Sequence, residues 1–437
     1  RLKMAKSIRA RDRDIVLQAL AAGVVPRVGL QHIQVGRSGE IGALVKDIDR
    51  LTDGGASARF IIGEYGSGKT FFLNLVRLIA LERKCVTIHA DLAPDRRLHA
   101  TAGQARGLYA EAVRNMSTRT KADGGALASI IERFITSCVK DSQNSNLSVE
   151  DAIDAGLAKL HDFLGGHDFS TVLKAYWRAS ENGDEALKAA ALRWLRAEYP
   201  TKTEARKALG VRSIIDDANV YDSFKLLAAF VQIAGYSGML VVLDEMVNLY
   251  KLQSSQARNQ NFEQILRMVN DVLQGDTEGI GFLYGGTPEF LMDSRRGLYS
   301  YQALESRLAE NSFAKDGLID LSGPVIRLQN LSPEDFLILL GNIRTIFAMG
   351  DAEAHLVPDE ALTSFMAHCN DRIGEAYFRT PRNTIKAFVQ FLAVIEQNPG
   401  VEWDDLIKQV DVESDSEMET ETETPEDGDD ELATLRL

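Results

Sequence analysis

The sequence predicts an α/β fold built on a parallel sheet, interrupted by a helical insertion and closed by a helical C-terminal lid. Three observations predict it. The apolar run Phe60-Ile61-Ile62 breaks into a glycine-rich loop and restarts as an apolar helix through Phe71, Phe72, Leu73, Leu75, Val76 and Leu78. A second apolar run, Met239 to Leu243, stops at Asp244-Glu245, as a strand buried on both faces of a parallel sheet does. From Leu331 to about Glu396 the apolar spacing is helical throughout. The expected organisation is an N-terminal helical segment over 1–58, a core over 59–330 with the insertion at 141–212, a helical lid over 331–410, and an acidic tail over 411–437.

The bulk numbers bound the class. The chain has 437 residues, 45% hydrophobic and 26% charged, room for two or three domains of the usual ~100–200 residues. No apolar run approaches the roughly 18 residues of a membrane span, and residues 1–13 are polar and basic where a secretory leader would be apolar. The chain opens on Arg1, as expected of a trimmed or incomplete start. Cys85, Cys138 and Cys369 lie far apart with no Cys-x-x-Cys pair, which fits reduced cytoplasmic thiols better than a disulfide framework or zinc site. The net charge of −14 is misleading: residues 411–437 hold twelve acidic residues against one arginine, leaving −3 for the remainder.

The loop after Ile62 is a phosphate cradle. Gly63, Gly68, Lys69 and Thr70 satisfy G-x-x-x-x-G-K-[ST], and the required strand and helix flank them. The glycines let backbone N–H groups surround phosphate oxygens; Lys69 reaches the outer phosphates, and the Thr70 hydroxyl is a ligand for Mg²⁺. The expected nucleotide contacts are therefore Gly63, Glu64, Tyr65, Gly66, Ser67, Gly68, Lys69, Thr70 and Phe71.

In chain order, residues 1–13 carry six Lys or Arg, either a solvated end or a contact for nucleic acid or an acidic partner. Ile15 to Ala21 predicts a helix ending near Gly23. A second helix begins around Gly39 with Ile41, Leu44, Ile48 and Leu51 on one face, and the turn His32–Arg37 before it lies, by analogy with other ATPases, beside the adenine. Cys85 to Asp91 predicts a strand whose end brings His89 and Asp91 toward the ligand, His89 being a structural or a catalytic residue. Leu98–Met116 and Ala126–Val139 read as helices around a polar break. In the insertion, Tyr176, Trp177, Trp194 and Tyr199 beside arginines fit helix packing or base stacking.

Asp244-Glu245 completes the site. This Walker B element places Asp244 near the metal and offers Glu245 as the base that orients water. The next strand, Gly279–Gly286, ends at Thr287, either a sensor of the γ-phosphate in an AAA+-type ATPase or an N-cap with Pro288 at the first helical position, roles that are compatible. Arg307, in Glu305-Ser306-Arg307-Leu308, is the candidate arginine finger or an intramolecular partner, with Arg295 and Arg296 nearby. Val325–Leu328 reads as the last strand, and Ser332-Pro333 as a capped helix start. Arg382, with Arg379 behind it, is the candidate second sensor at the lid junction. The tail from Asp411 lacks the apolar content for a core, so disorder is expected.

These residues resemble a known family. RFIIGEYGSGKTFFLNLVR, ADLAPDRRLHATAGQARGLYAEAVRNMST, LVVLDEMVNLYK and YGGTPEFLMDSRRGLYSYQALESRL are similar to ATP-binding proteins of bacterial BREX (bacteriophage exclusion) systems, particularly short BrxD-like P-loop ATPases, over residues about 10 to 400. The resemblance implies a cytoplasmic AAA+-like ATPase in phage defence, often encoded beside a helicase. The resulting expectation is a P-loop hydrolase using ATP and Mg²⁺, acting on DNA directly or through a helicase or other defence subunit, in a homo-oligomer if Arg307 acts in trans. The alternative is a slow-turnover, ATP-loaded scaffold; a small-molecule kinase is a third, for which no acceptor motif is visible.

Overall fold

A computed structural model describes residues 8–314, 318–379 and 381–412; the acidic tail beyond Val412 and the first seven residues lie outside the described residues. Five strands form one parallel sheet: β1 (Ser57–Ile62), β2 (Val86–Asp91), β3 (Met239–Asp244), β4 (Ile280–Gly286) and β5 (Val325–Arg327), in the order β2-β3-β4-β1-β5. Strands buried on both faces read as continuous apolar runs, and every residue of β3 and β4 is buried.

Alternation along the strands divides the core. Phe60, Ile62, Val241, Leu243, Phe282 and Tyr284 face helices Gln104–Arg114, Leu127–Gln143, Val220–Ile233 and Ser255–Gln274, with the Phe60 and Tyr284 rings stacked at 4.6 Å. Ile61, Leu240, Val242, Leu283 and Ile326 face helices Ser38–Thr52 and Lys69–Glu82 through Leu44, Ile48, Leu51, Phe72, Leu73 and Val76. A buried ion pair ties that second layer together. Asp47, from helix Ser38–Thr52, accepts from Arg59 Nε at 2.5 Å and from Nη2 at 3.1 Å, and Arg59 Nη1 also donates to the carbonyls of Leu321 and Ser322 ahead of β5.

The insertion is helical as expected, with Val149–Gly156, Gly166–Asn182, Glu185–Leu195 and Lys202–Leu209. Its aromatics serve packing: Tyr176, Trp194 and Tyr199 are at most 2% exposed, share the sheet's own core, and Trp194 Nε1 donates to Ser213 O at 2.9 Å. One helix is shorter than its spacing predicts. Of Leu98–Met116 only Gln104–Arg114 is helical, because side chains distant in sequence hold the preceding backbone. Asn261 both accepts from His99 N–H and donates to His99 O, and Asp217 accepts from the N–H groups of Gly103 and Arg106 at the helix start.

A third cluster joins the first described helix to the C-terminal helices. Val16, Leu17 and Leu20 of helix Ala10–Ala21 pack with Phe336, Phe347, Phe388 and Leu392 of helices Pro333–Phe347 and Arg382–Gln397. Arg13 reinforces the contact by donating to Phe347 O at 3.2 Å and pairing with Glu396. Helix Pro333–Phe347 starts in the expected way, with Ser332 and Asp335 forming a reciprocal capping box and Pro333 at its first position. Among the described residues, no helix is long and apolar enough to cross a membrane.

Candidate functional site

The site lies at the C-terminal ends of β1, β3 and β4, where a parallel sheet exposes its ligand crevice. After Ile62 the chain turns through Gly66 and Gly68, at φ +78° and +77°, conformations that glycine adopts without strain, and enters helix Lys69–Glu82. Gly63 is needed for closeness instead: a Cβ there would lie 2.5 Å from Ser67 Oγ. That hydroxyl is buried inside the loop and has no hydrogen-bond partner among the described residues. Lys69 Nζ arches back over the loop, donating to Gly63 O at 2.9 Å and Glu64 O at 3.2 Å. Burial lowers its pKa, and the carboxylates of Asp244, Glu245 and Glu289 oppose that shift.

Thr70 and Asp244, 174 positions apart, meet across the sheet: the hydroxyl donates to Asp244 Oδ2 at 2.9 Å. A hydroxyl and a carboxylate oxygen side by side are the donors that Mg²⁺ accepts alongside phosphate oxygens. Among the described residues, no group of three or more His, Cys, Asp and Glu could hold a metal ion. Space for the Asp244 carboxylate comes from β4, since a Cβ on Gly285 would fall 2.2 Å from Asp244 Oδ1.

Glu245 follows in the left-handed region, φ +57°, which a β-carbon makes unfavourable. Two bonds hold this kink: its N–H donates to Asp244 Oδ1 at 2.8 Å, and Met246 N–H donates to Gly285 O at 2.9 Å. The kink turns the glutamate out of β3 so that it is exposed at the strand end. Partial desolvation by the atoms crowded around it, then the charges of Asp244 and Asp91, raise its carboxyl pKa even though its outer part meets solvent. Asp91 sits opposite Asp244 in the β2–β3 register and its pKa is raised by burial and then by Asp244.

Thr287 stands beside the cradle, because Gly63 N–H donates to the carbonyl of its neighbour Gly286 at 3.1 Å. Its hydroxyl accepts from Phe290 N–H at 3.4 Å, the N-cap geometry expected of Thr-Pro. The arginines lie in other settings. Arg307 donates to Asn270 Oδ1 and, at 2.8 Å, to Ala303 O of its own helix. Arg382 begins its helix exposed, with its Cγ 3.5 Å from where a Gly23 Cβ would stand. The His89 ring turns into a recess beside Arg77 and Arg27 rather than to the cradle.

Three contributors escape sequence reasoning. Arg37 donates to Ser67 O in the loop and to Gln329 O at 3.1 Å, with its guanidinium 5.9 Å from the Phe72 ring centre. Asn330 donates to Glu64 Oε2 at 3.1 Å. Asn330 comes from a loop with no distinguishing pattern; Arg37 ends the turn His32–Arg37 expected beside the adenine, but nothing in its spacing marked its side chain as a partner of Ser67. Gly285 did leave a signal, since a glycine pair inside an apolar strand marks a close approach.

With cradle, hydroxyl and carboxylate assembled, the family comparison is decisive. The model for BREX system ATP-binding proteins BrxC/D matches residues 8–411. The chain belongs to the BrxC/D family. It is thus an ATP-binding protein of the BREX phage-defence system, and the match spans the sheet, the insertion and the C-terminal helices alike. No curated protein matches the chain.

Proposed function

We propose that this BrxC/D protein hydrolyses ATP in an AAA+-type, Mg²⁺-dependent site and transmits the cycle to its C-terminal helices, which act as a lid. The observation that carries the proposal is the left-handed Glu245 next to a Thr70–Asp244 contact. Backbone strain of about 1–3 kcal/mol persists where surrounding structure enforces it, and such sites concentrate at functional centres. Bound Mg²⁺ would screen the phosphate oxygens and polarise the bond to be broken. Gly63 to Phe71 wraps the phosphates, Lys69 carries the positive charge, Thr70 and Asp244 hold the cation, and Glu245 accepts a proton from the attacking water. The AAA+ reading draws support from the position of β4 between β1 and β3, and Thr287, just past the end of β4, would serve as the sensor. Arg382, at the start of a lid helix, and Arg307 are proposed to supply charge to the phosphates when lid or neighbouring subunit closes.

Coupling to DNA or to a DNA-processing partner in the cytoplasm, and assembly into a homo-oligomer, belong to the same proposal. They are motivated by the BREX membership and the basic residues 1–13.

Phosphate release from purified protein tests it. Glu245→Gln should reduce turnover by about 10²-fold or more, the scale of a lost general base, while ATP binding survives. Because the Glu245 pKa is raised and a base must be deprotonated, turnover should fall with decreasing pH on a limb above the ordinary glutamate range; Glu245→Gln should lack that limb. Equal, negligible release from both proteins, at any pH and with DNA added, would replace the hydrolase with the ATP-loaded scaffold.

A further inference from the structure

On the far side of the helix that follows the cradle, a small recess is lined by Arg27, Asn74, Arg77, His89 and Asp123, with Leu78, Leu81 and Ala122 as apolar wall. It spans about 310 Å³ when the open solvent at its mouth is included, with enclosed room for about one water-sized atom. Arg77 is 8% exposed. One of its terminal nitrogens donates to Asn74 Oδ1 at 2.7 Å, but its Nε is buried with no partner among the described residues, and so is His89 Nδ1. Neither Arg77 nor Arg27 forms an ion pair with a carboxylate among the described residues. Arg27 stands exposed at the mouth.

A buried guanidinium without a counter-charge is costly, as is each buried donor without an acceptor. The electrostatics agree. Burial, followed by Arg27, lowers the Arg77 pKa to about 10, with Asp91 opposing; burial, then Arg77 and Arg27, pushes the His89 imidazole down to about 3. The recess therefore holds excess positive charge and unused polar atoms inside an otherwise apolar wall. Asp123, exposed at the rim, is the carboxylate facing it there.

We propose that this recess binds a phosphate-class oxyanion. One oxygen enters the closed end between Arg77 and His89, and the remaining oxygens sit in the mouth against Arg27. An exposed arginine can swing to seat them, and a planar fork suits such an anion. The ligand would join three parts of the chain: Arg27 precedes the short helix Leu30–Ile33, Arg77 belongs to the helix of the ATP cradle, and His89 to β2. This site is separate from the cradle and does not depend on hydrolysis.

The test uses the full chain carrying Lys69→Ala, which cripples phosphate binding in the cradle, and isothermal titration at constant ionic strength. Inorganic phosphate should still bind at one site. Arg27→Ala, at an exposed position that does not threaten folding, should weaken it about tenfold, a change of about 1.4 kcal/mol; His89→Gln should weaken it too, and Asp123→Asn should strengthen it. Methyl phosphate distinguishes the sources: equal binding means that the terminal phosphate of a larger molecule is accepted, and binding of free phosphate alone means that the mouth admits no ester. Absence of uptake by the Lys69→Ala protein, or affinity unchanged by both Arg27→Ala and His89→Gln, overturns the proposal.

Discussion

The carboxylate of Asp244 occupies space that only a glycine at 285 leaves open. A methyl group there would stand 2.2 Å from Asp244 Oδ1 and 2.9 Å from Leu73 Cδ1, so one of the two must move. Gly285→Ala should therefore cut ATP turnover at least tenfold and raise the Mg²⁺ concentration needed for half-maximal rate, with a smaller effect on nucleotide binding without the metal. Unaltered Mg²⁺ dependence would show that Asp244 has no part in holding the cation. At the same scale, the three cysteines are buried and free, and burial pushes the Cys85 and Cys369 thiols up to about 12 and Cys138 to about 11. They are packing residues, consistent with the reading as reduced thiols.

Elements are locked to one another by a few polar contacts that periodicity does not reveal. Arg59 reads as a polar residue opening an apolar strand, yet it is 7% exposed and shares a bidentate pair with Asp47, 4% exposed, while capping the carbonyls ahead of β5. Helix Ser38–Thr52, β1 and the approach to β5 thus meet at one guanidinium. Asp47→Ala strands that charge in the core and should cost about 3–5 kcal/mol in urea unfolding, whereas replacing both partners by apolar residues should recover part of the loss. A single-mutant cost within about 0.5 kcal/mol, the range of an ordinary surface change, would refute the structural role. The boundary of helix Gln104–Arg114 has the same origin: Asp217 and Asn261 claim the residues before it, and neither is close in sequence.

At the level of the whole molecule, the helix Ala10–Ala21 is a component of the C-terminal helical unit. Its residues Val16, Leu17 and Leu20 are buried against that unit, and burial of three such side chains contributes on the order of 5 kcal/mol. Removing residues 1–22 should speed proteolysis within 333–412 while leaving the sheet protected; identical digestion patterns for the two proteins would sink this assignment. Assembly is tested separately. If Arg307 leaves its Asn270 contact to serve a neighbour, mixing Arg307→Ala with Lys69→Ala subunits should restore part of the turnover that each lacks alone. No recovery at any ratio would confine Arg307 to its own chain.

The sequence by itself determined the glycine-rich loop, the two carboxylates at the end of β3 and the helical insertion and C-terminal segment. Each of these rests on local chemistry: a glycine-rich turn between strand and helix, an apolar run ended by acids, and 3.6-residue spacing with no strand-like run between its polar breaks. Thr287 was legible as a cap for the same reason. Tertiary structure alone decided the order of the strands, the meeting of Thr70 with Asp244, the clearance provided by Gly285, the direction of His89, the placement of Arg37 on the loop, and the packing of helix Ala10–Ala21 on the C-terminal helices. Those depend on which surfaces find one another across separations from about a dozen residues (His89 with Arg77) to 174 (Thr70 with Asp244), and a pattern of spacing carries no information about a contact whose partner lies on another element.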